Sequence, residues 1–264
     1  MGALANQRAL VVGATSGIGL ASAERLLRDG ASVTLAARTE SSLRATADAL
    51  APAAHAGGGR VDWIACDAMS AADVRAAVDR AARGDRLDIA IAIPGGGNYS
   101  RVLDYDDDRF LAEVAQNLQP QFLVLKYAGR VMASAGGGSI VAISSTAAIM
   151  STPFLAAYCA GKAAVDQLVR VAADELGAHG VRVNAVRPGL TRTGATGGLF
   201  QSPVVDRFLA EQPIARTGEP DDIAATVRFL AGPESSWITG QCVTVDGGHT
   251  IRKFPDLSDL VSSG

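Results

Sequence analysis

The 264-residue sequence contains few of the residue types from which disulfide frameworks and metal sites are built. Its three cysteines are odd in number and far apart, each in or beside an apolar stretch, so we interpret them as buried free thiols. Its three histidines have no metal-ligand spacing to one another or to a cysteine, which predicts surface histidines in loops rather than a zinc site. These residues favour an intracellular protein that holds no metal.

Long apolar runs and an excess of charge of one sign are also missing. No segment approaches the roughly 18 consecutive apolar residues that a membrane span needs. Residues 1–8 are too short and too polar for a signal peptide. The net charge of −3, with no clustered Lys/Arg face, disfavours nucleic acid and anionic membranes as partners. We therefore expect a soluble, cytoplasmic protein that acts on a small molecule.

Apolar segments alternate with helical patterns along the whole sequence, and no Pro/Ser-rich linker or internal repeat interrupts them. This order is typical of parallel βαβ units, and the continuously apolar strands predict burial on both faces. We predict one α/β domain over residues 1–264: a doubly wound parallel sheet of the Rossmann type, in three α/β/α layers. The predicted strands are 8–12, 32–36, 61–65, 89–93, 139–143, 181–186 and 242–245; the predicted helices are one that ends at Asp29-Gly30, then 40–50, 71–83, near 107–133, about 156–176 and 221–230.

Two segments depart from this alternation. Residues 190–213 form a long glycine-rich insertion that also holds Leu199 and Phe200. Loops of this length in compact domains are usually functional, so we predict a substrate-binding lid. The tail, residues 249–264, carries apolar side chains three or four residues apart, which predicts that it docks against the substrate cleft.

The turn after the first strand reads Gly13-Ala14-Thr15-Ser16-Gly17-Ile18-Gly19 and opens a helix. A pyrophosphate needs backbone N–H groups at a helix N-terminus, and glycine lets it approach them closely. We expect a dinucleotide to bind this turn through Gly13, Thr15, Ser16, Gly17, Ile18 and Gly19. A tight structural turn is the alternative, because a lone glycine triplet is a weak signal.

The end of the second strand indicates which nicotinamide cofactor binds. It reads Ala36-Ala37-Arg38, without the acidic residue that would accept hydrogen bonds from the ribose of NAD. Arg38, helped by Thr39, can bind a 2′-phosphate, so we predict a preference for NADP(H) with NAD(H) possible. A solvated arginine before the next helix is the alternative. Asp67 can accept from the adenine amino group, or it can cap a helix.

Tyr158 and Lys162 lie four residues apart in a predicted helix and so share one face. A phenol with an ordinary pKa of about 10 needs roughly 4 kcal/mol of preferential stabilisation of the phenolate to work near neutrality. Lys162 and a cationic nicotinamide can supply it. Considered alone, the pair is better explained by ordinary amphipathic patterning of a helix.

Together with Ser144-Ser145 after the fifth strand and the segment Val183–Gly189, these motifs resemble the short-chain dehydrogenase/reductase family. Residues 213–220 and 238–248 are similar to the branch that contains 3-oxoacyl-carrier-protein reductases. The resemblance covers nearly the whole chain. It implies a Rossmann fold, a nicotinamide cofactor and oxidoreductase activity.

The resemblance also implies roles for individual residues. Tyr158 matches the family's general acid/base, Lys162 its helper that also holds the nicotinamide ribose, and Ser145 the donor that orients the substrate oxygen. Asn117 matches the residue that anchors a water linked to the lysine; its alternative is a polar residue on a solvated helix face. Thr193 matches the position that holds the nicotinamide carboxamide, and an ordinary loop threonine is its alternative. Further cofactor contacts are expected from Gly95, Pro188 and Gly189.

One motif departs from the family. The segment Ala92-Ile93-Pro94-Gly95 stands where relatives usually read Asn-Asn-Ala-Gly, and Val12 replaces the threonine that opens the glycine motif. In the family this segment ties neighbouring strands together and lines the cofactor cleft. Its loss is expected to affect local stability and cofactor affinity more than the chemistry, which indicates a divergent member.

We therefore predict an NADP(H)-dependent oxidoreductase that interconverts a carbonyl and a secondary alcohol, with Tyr158 as general acid/base. A catalytically silent dinucleotide sensor is the alternative, but it has no use for the complete set of Asn117, Ser145, Tyr158 and Lys162. The spacing of Tyr158 and Lys162 disfavours an enoyl reductase, and the chain length and glycine spacing disfavour a sugar-nucleotide epimerase. Leu199 and Phe200 favour an apolar substrate. Apolar residues on several faces of the long helices, with the resemblance, predict a homotetramer.

Overall fold

In the computed structural model, which describes residues 2–84 and 86–252, a parallel sheet has the strand order β3-β2-β1-β4-β5-β6-β7. The strands are β1 Arg8–Val12, β2 Ser32–Ala37, β3 Val61–Ala65, β4 Ile89–Ala92, β5 Gly138–Ile143, β6 Val181–Pro188 and β7 Cys242–Val245. The α-helices are α1 Gly17–Arg28, α2 Glu40–Gly57, α3 Ala71–Ala82, α4 Asp107–Ala135, α5 Ala156–Gly177, α6 Val204–Ala210 and α7 Pro220–Ala231.

Successive side chains of each strand point to opposite faces of the sheet, and each face has its own apolar core. Leu10 and Ala90 are buried against α3, α4 and α5. Their neighbours Val11 and Ile91 are buried against α1, α2 and α7. Burial on both faces explains why the central strands are apolar throughout, and it confirms the three-layer arrangement predicted from the sequence.

The strand order reverses at β1, which pairs with β2 on one side and with β4 on the other. The connections that follow β1 and β4 therefore leave in opposite directions and open a crevice at the carboxyl ends of the strands. Ligands of doubly wound sheets bind at such a point.

Two predicted elements are wrong. Helix α2 does not end at residue 50 but continues through Pro52 to Gly57, where Gly58 adopts a left-handed conformation with φ of 80°. The insertion 190–213 is not a continuous loop, because it contains two 3-10 turns and α6. The ends of the other predicted elements agree within two residues.

The expected environments of cysteine and histidine also need correction. Cys66 is buried, but Cys159 and Cys242 are only half-buried. His249 is completely buried and packs edge-on against Phe208, with ring centres 5.4 Å apart, so it is not a surface residue.

Within the described ranges, none of the helices is both long enough and apolar enough to cross a bilayer. The 3-10 turn His249–Ile251 begins the tail. Most of the predicted docking segment, residues 253–264, lies outside the described residues.

Candidate active site

A cleft of about 660 Å³ opens at the carboxyl ends of the strands, beside the point where the strand order reverses. It brings together residues that are far apart in the sequence. Gly19 and Asn117 lie outside its lining; the predicted site residues that line it are Gly13, Thr15, Ser16, Gly17, Ile18, Arg38, Thr39, Asp67, Gly95, Ser145, Tyr158, Lys162, Pro188, Gly189 and Thr193.

The glycine turn fits a pyrophosphate. Gly13 and Gly17 have φ of 87° and 51°, a left-handed region that favours glycine. A Cβ on Gly19 would lie 2.0 Å from the carbonyl oxygen of Gly13, so the turn closes only without a side chain there. The first turn of α1 holds no acidic residue, and the Ser16 side chain makes no capping hydrogen bond. The positive end of the helix dipole is therefore left for an anion in the cleft.

Arg38 and Thr39 line the cleft just after β2, the end of which contacts the glycine turn: the Gly13 amide donates to the Ala36 carbonyl at 2.8 Å. Arg38 is exposed, and its side chain has no ion-pair partner in the described part of the chain, so its guanidinium is available to a ligand. Thr39 precedes α2 without capping it through its side chain. Asp67 does not cap a helix: Ser70 caps α3, while Asp67 accepts a hydrogen bond from the Met69 amide at 3.0 Å.

Tyr158 and Lys162 lie on the first turns of α5 and converge in the middle of the cleft. The Lys162 ammonium lies 5.8 Å from the centre of the Tyr158 ring and donates a hydrogen bond to the Ile143 carbonyl at 2.8 Å. Ser145 follows β5, and its hydroxyl, which accepts a hydrogen bond from the Ala147 amide at 3.2 Å, lies in the same cleft as the phenol and acts to lower the pKa of Tyr158. Lys162 is only 1% exposed, so a cation there is shielded from water.

Burial acts on both groups in the direction that favours their neutral forms. It raises the pKa of Tyr158, and the hydrogen bond from Ser145 partly opposes this rise. It lowers the pKa of Lys162 to about 8, against a smaller opposing effect of Asp166. Additional positive charge near the phenol would lower the pKa of Tyr158. The pair is thus suited to a site that holds a cationic nicotinamide.

Asn117 is completely buried in α4, which excludes the alternative of a solvated helix face. Its Nδ2 donates to the carbonyls of Gly96 and Glu113 at 2.7 and 2.9 Å. Its Oδ1 accepts from the Gly96 amide at 3.0 Å. Asn117 therefore holds the loop that follows β4, where the sequence departs from the family.

The insertion 190–213 covers the cleft from the side of β6. A Cβ added to Gly17 would lie 3.2 Å from the methyl group of Thr193, so this threonine lies directly over the glycine turn. A Cβ on Gly189 would lie 2.7 Å from the Cβ of Asp246, which explains the glycine after Pro188. Leu199 and Phe208 add apolar lining.

Sequence reasoning missed several lining or supporting residues. Gly97 lines the cleft beside Tyr158, and Tyr99 and Leu155 add to its substrate side. Glu113 and Gln121 support the loop after β4 from α4. Their spacing of four residues from Asn117 was the available signal, since residues four apart share a helix face.

A Rossmann sheet with a glycine turn, a cleft at the carboxyl ends of its strands and a Ser-Tyr-Lys set is typical of nicotinamide-dependent oxidoreductases. A family model described as "Enoyl-(Acyl carrier protein) reductase" matches residues 13–250. The chain is 37% identical over 255 residues to the "A-factor type gamma-butyrolactone 1'-reductase (1S-forming)" of Streptomyces virginiae, covering 95% of this chain and 98% of that one. It is 36% identical over 250 residues to the "Cis-4-hydroxycyclohexanecarboxylate dehydrogenase" of Sinomonas cyclohexanicum, covering 94% and 98%.

A solved short-chain type dehydrogenase/reductase from Mycobacterium ulcerans superposes with a TM-score of 0.94 at 35% identity, covering 98% of this chain and 95% of that one. The chain belongs to the short-chain dehydrogenase/reductase family. It is an NAD(P)-dependent oxidoreductase of the class that acts on CH-OH groups, so the chain is an enzyme rather than the silent sensor considered as the alternative.

Proposed function

We propose that the protein is an NADP(H)-dependent carbonyl reductase or alcohol dehydrogenase in which Tyr158 is the general acid/base. The observation that carries this proposal is the convergence of Ser145, Tyr158 and Lys162 in the middle of the cleft. When bound, the nicotinamide supplies or accepts the hydride. The protein's own side chains transfer the proton.

In the reductive direction the Ser145 hydroxyl donates a hydrogen bond to the substrate oxygen and orients it. Tyr158 then transfers its phenolic proton to that oxygen as negative charge develops there. The Lys162 ammonium stabilises the resulting phenolate through space and is held in place by the Ile143 carbonyl. In the oxidative direction the phenolate accepts the proton from the alcohol. Asn117 is proposed to anchor a water that links Lys162 to solvent.

The cofactor is proposed to lie along the cleft with its pyrophosphate on the turn Gly13–Gly19, which includes Thr15, Ser16, Gly17 and Ile18. Arg38 and Thr39 would bind the 2′-phosphate, and the carboxylate of Asp67 would accept from the adenine amino group. At the other end, the nicotinamide half would contact Gly95, Pro188, Gly189 and Thr193, and Lys162 would hold its ribose. The exposed guanidinium of Arg38 supports the preference for NADP(H) over NAD(H).

We propose an uncharged, apolar ketone as substrate. The part of the cleft beyond Tyr158 is lined by Tyr99, Leu155, Leu199 and Phe208, with the hydroxyl of Thr152. Among the described lining residues, cationic side chains come only from Arg38 and Lys162, both assigned to the cofactor. A carboxylate on the substrate would therefore be buried without a partner.

A matched pair of substrates tests this selectivity. We expect NADPH-dependent reduction of ethyl 4-oxocyclohexanecarboxylate with a kcat/KM at least about tenfold higher than that of the free acid. Equal or better use of the acid would contradict the apolar assignment. Reduction of crotonyl-CoA at its carbon-carbon double bond would instead support an enoyl reductase.

The Tyr158→Phe variant tests the acid/base role. It should retain the fold and NADPH binding but lose at least about two orders of magnitude in turnover of the ester, because only the proton donor is removed. Fluorescence titration with NADPH is the control for binding. A variant with near-normal kcat would falsify the assignment of Tyr158.

The insertion 190–213 is proposed to be the substrate-binding lid of a single domain, and the protein is proposed to assemble as a homotetramer. Phe122 on α4 and Val171 on α5 leave apolar surface exposed on the two long helices. Pairing about two-fold axes would bury this surface on both copies. A monomer in light scattering at micromolar concentration would exclude the tetramer.

A further inference from the structure

The loop that follows β4, residues 94–98, is attached to α4 by three polar side chains. These side chains are spaced by four residues, so they form a row along one face of the helix. We call this row, which consists of Glu113, Asn117 and Gln121, the α4 ladder. The ladder contacts every second residue of the loop: Gln121 Nε2 donates to the Pro94 carbonyl at 2.9 Å, Asn117 bonds both the amide and the carbonyl of Gly96, and Glu113 accepts from the Asn98 side chain at 2.9 Å.

The intervening glycines of the loop face the proposed catalytic pair. A Cβ on Gly95 would lie 2.7 Å from the Lys162 Nζ and equally close to Oδ1 of Asn117, so Gly95 lies between the lysine and the ladder. A Cβ on Gly97 would lie 2.8 Å from the Cβ of Tyr158. The loop is thus held by the ladder, and its glycines form a wall against Lys162 and Tyr158.

Glu113 is the most heavily bonded member of the ladder. It is 4% exposed, and besides Asn98 it accepts hydrogen bonds from the Tyr105 hydroxyl at 2.7 Å and from Arg109 Nε at 2.9 Å. Burial alone would raise the pKa of Glu113, but these hydrogen bonds hold it at about 2. The side chain is therefore a carboxylate at neutral pH, and its hydrogen bonds are of the stronger, charge-assisted kind.

Gln121 is completely buried at the other end of the ladder. Its Oε1 has no hydrogen-bond partner among residues 2–84 and 86–252, which costs free energy. The contact of its Nε2 with the Pro94 carbonyl is the interaction that offsets this cost.

The two ends of the loop serve different halves of the cleft. At the first end, a Cβ on Gly13 of the glycine turn would lie 3.4 Å from Pro94 Cδ, so this end lies against the cofactor side. At the second end, the chain passes through Tyr99 to Ser100, whose amide donates to the Phe154 carbonyl at 2.8 Å, on the substrate side.

We propose that Glu113 and Gln121 are positioning residues with separable effects: Glu113 fixes the substrate wall of the site, and Gln121 fixes its cofactor end. This inference rests on the function proposed above. It also explains how the chain holds the loop after β4 without the asparagines that relatives carry there, because the attachment comes from α4 instead.

Two variants test the separation. Glu113→Gln weakens the charge-assisted bonds to Asn98 and should raise the KM for ethyl 4-oxocyclohexanecarboxylate by about tenfold while the NADPH Kd stays within about twofold. Gln121→Met fills similar volume but leaves the Pro94 carbonyl without its donor. It should raise the NADPH Kd by about tenfold and leave the KM for the ester, at saturating NADPH, within about twofold.

Two further variants act as controls. Asn98→Ala, at an exposed position, removes the side-chain bond to Glu113 but keeps the bond from the Asn98 amide to the same carboxylate at 3.4 Å, so it should raise the KM in the same direction but by less. Arg109→Met removes a donor from the same carboxylate without touching the loop, so both constants should remain close to those of the wild type.

The separation is overturned if each variant changes both the KM for the ester and the NADPH Kd. It is also overturned if Glu113→Gln leaves the KM unchanged and Gln121→Met leaves the Kd unchanged. The NADPH titration requires no turnover, so the ladder is tested even if the acid/base assignment fails. Conversely, a normal Tyr158→Phe enzyme would refute the proposed chemistry whatever the ladder variants show.

Discussion

Gly97 offers a direct test of how closely the loop after β4 constrains the proposed acid/base. Substitution by alanine would place a Cβ 2.8 Å from the Cβ of Tyr158 and 3.2 Å from its Cγ. Both atoms belong to the rigid part of the tyrosine, so the contact cannot be relieved by rotating the end of a flexible side chain. Either the loop or the phenol must move.

The size of the movement follows from ordinary packing distances. Carbon atoms in contact prefer separations of about 3.5–4.0 Å, so a contact of 2.8 Å must open by roughly 0.7 Å or more. A misplacement of about 1 Å at a reacting group can lower the rate about a hundredfold, which corresponds to roughly 2.7 kcal/mol in the barrier. We expect Gly97→Ala to lower the kcat for ester reduction by between about tenfold and a hundredfold.

Gly96→Ala is the matched control, because a Cβ at that position meets no atom within 4 Å and the backbone hydrogen bonds to Asn117 are retained. Steady-state kinetics with both variants, with NADPH titration in parallel, gives the comparison. If Gly97→Ala keeps the wild-type kcat, or if both variants lose the same fraction of it, the packing argument is refuted.

Two further predictions concern cofactor choice and stability. Arg38→Asp should reverse the preference for NADPH over NADH, since it replaces a phosphate ligand by a repelling carboxylate; a wild type that binds NADH tenfold tighter in fluorescence titration would contradict this. Asp166→Asn should cost about 3–5 kcal/mol in urea unfolding, because it removes the counter-charge that lies 2.6 Å from the largely buried Arg187 guanidinium and leaves that cation with the Cys242 carbonyl as its neutral partner. Asp79→Asn, which breaks the exposed pair with Arg75, should cost less than about 1 kcal/mol.

The fold was predictable because its signals are local and repeated. Strand β1 and the glycine turn that follows it are visible in the sequence with the boundaries that the structure shows. The error in α2 has a tertiary cause. Pro52 usually ends a helix, but Ala54 is buried in the core beyond it and Gly58 supplies a left-handed cap, so packing outweighs the local signal.

The candidate site was only partly predictable. Tyr158, Lys162 and Ser145 belong to motifs that are visible in the sequence, and the structure brings the three residues together in one cleft, as the resemblance implies. Glu113 and Gln121 look like solvated residues of a long amphipathic helix in the sequence. Their partners are groups of a loop 15 and 27 residues earlier, and only the packing of α4 against the end of β4 brings them within hydrogen-bond distance.

The depressed pKa of Lys162 makes a prediction about stability whose sign differs from that of a surface lysine. Burial lowers this pKa from an ordinary value of 10.5 to about 8, so between these values the unfolded chain binds more protons than the folded one. Stability therefore rises with pH across this interval, and the contribution of Lys162 should increase by about 2 kcal/mol between about pH 7 and pH 9.5.

The measurement is the difference in unfolding free energy between the wild type and Lys162→Met, in which the other titrating groups cancel. We expect the wild type to gain stability relative to the variant as pH rises through about 8 to 9.5. If the difference stays constant with pH, Lys162 is not desolvated in the folded protein. If the difference decreases, the charge of Lys162 is stabilised in the folded protein. In that case Tyr158 would not need a cationic nicotinamide to activate it.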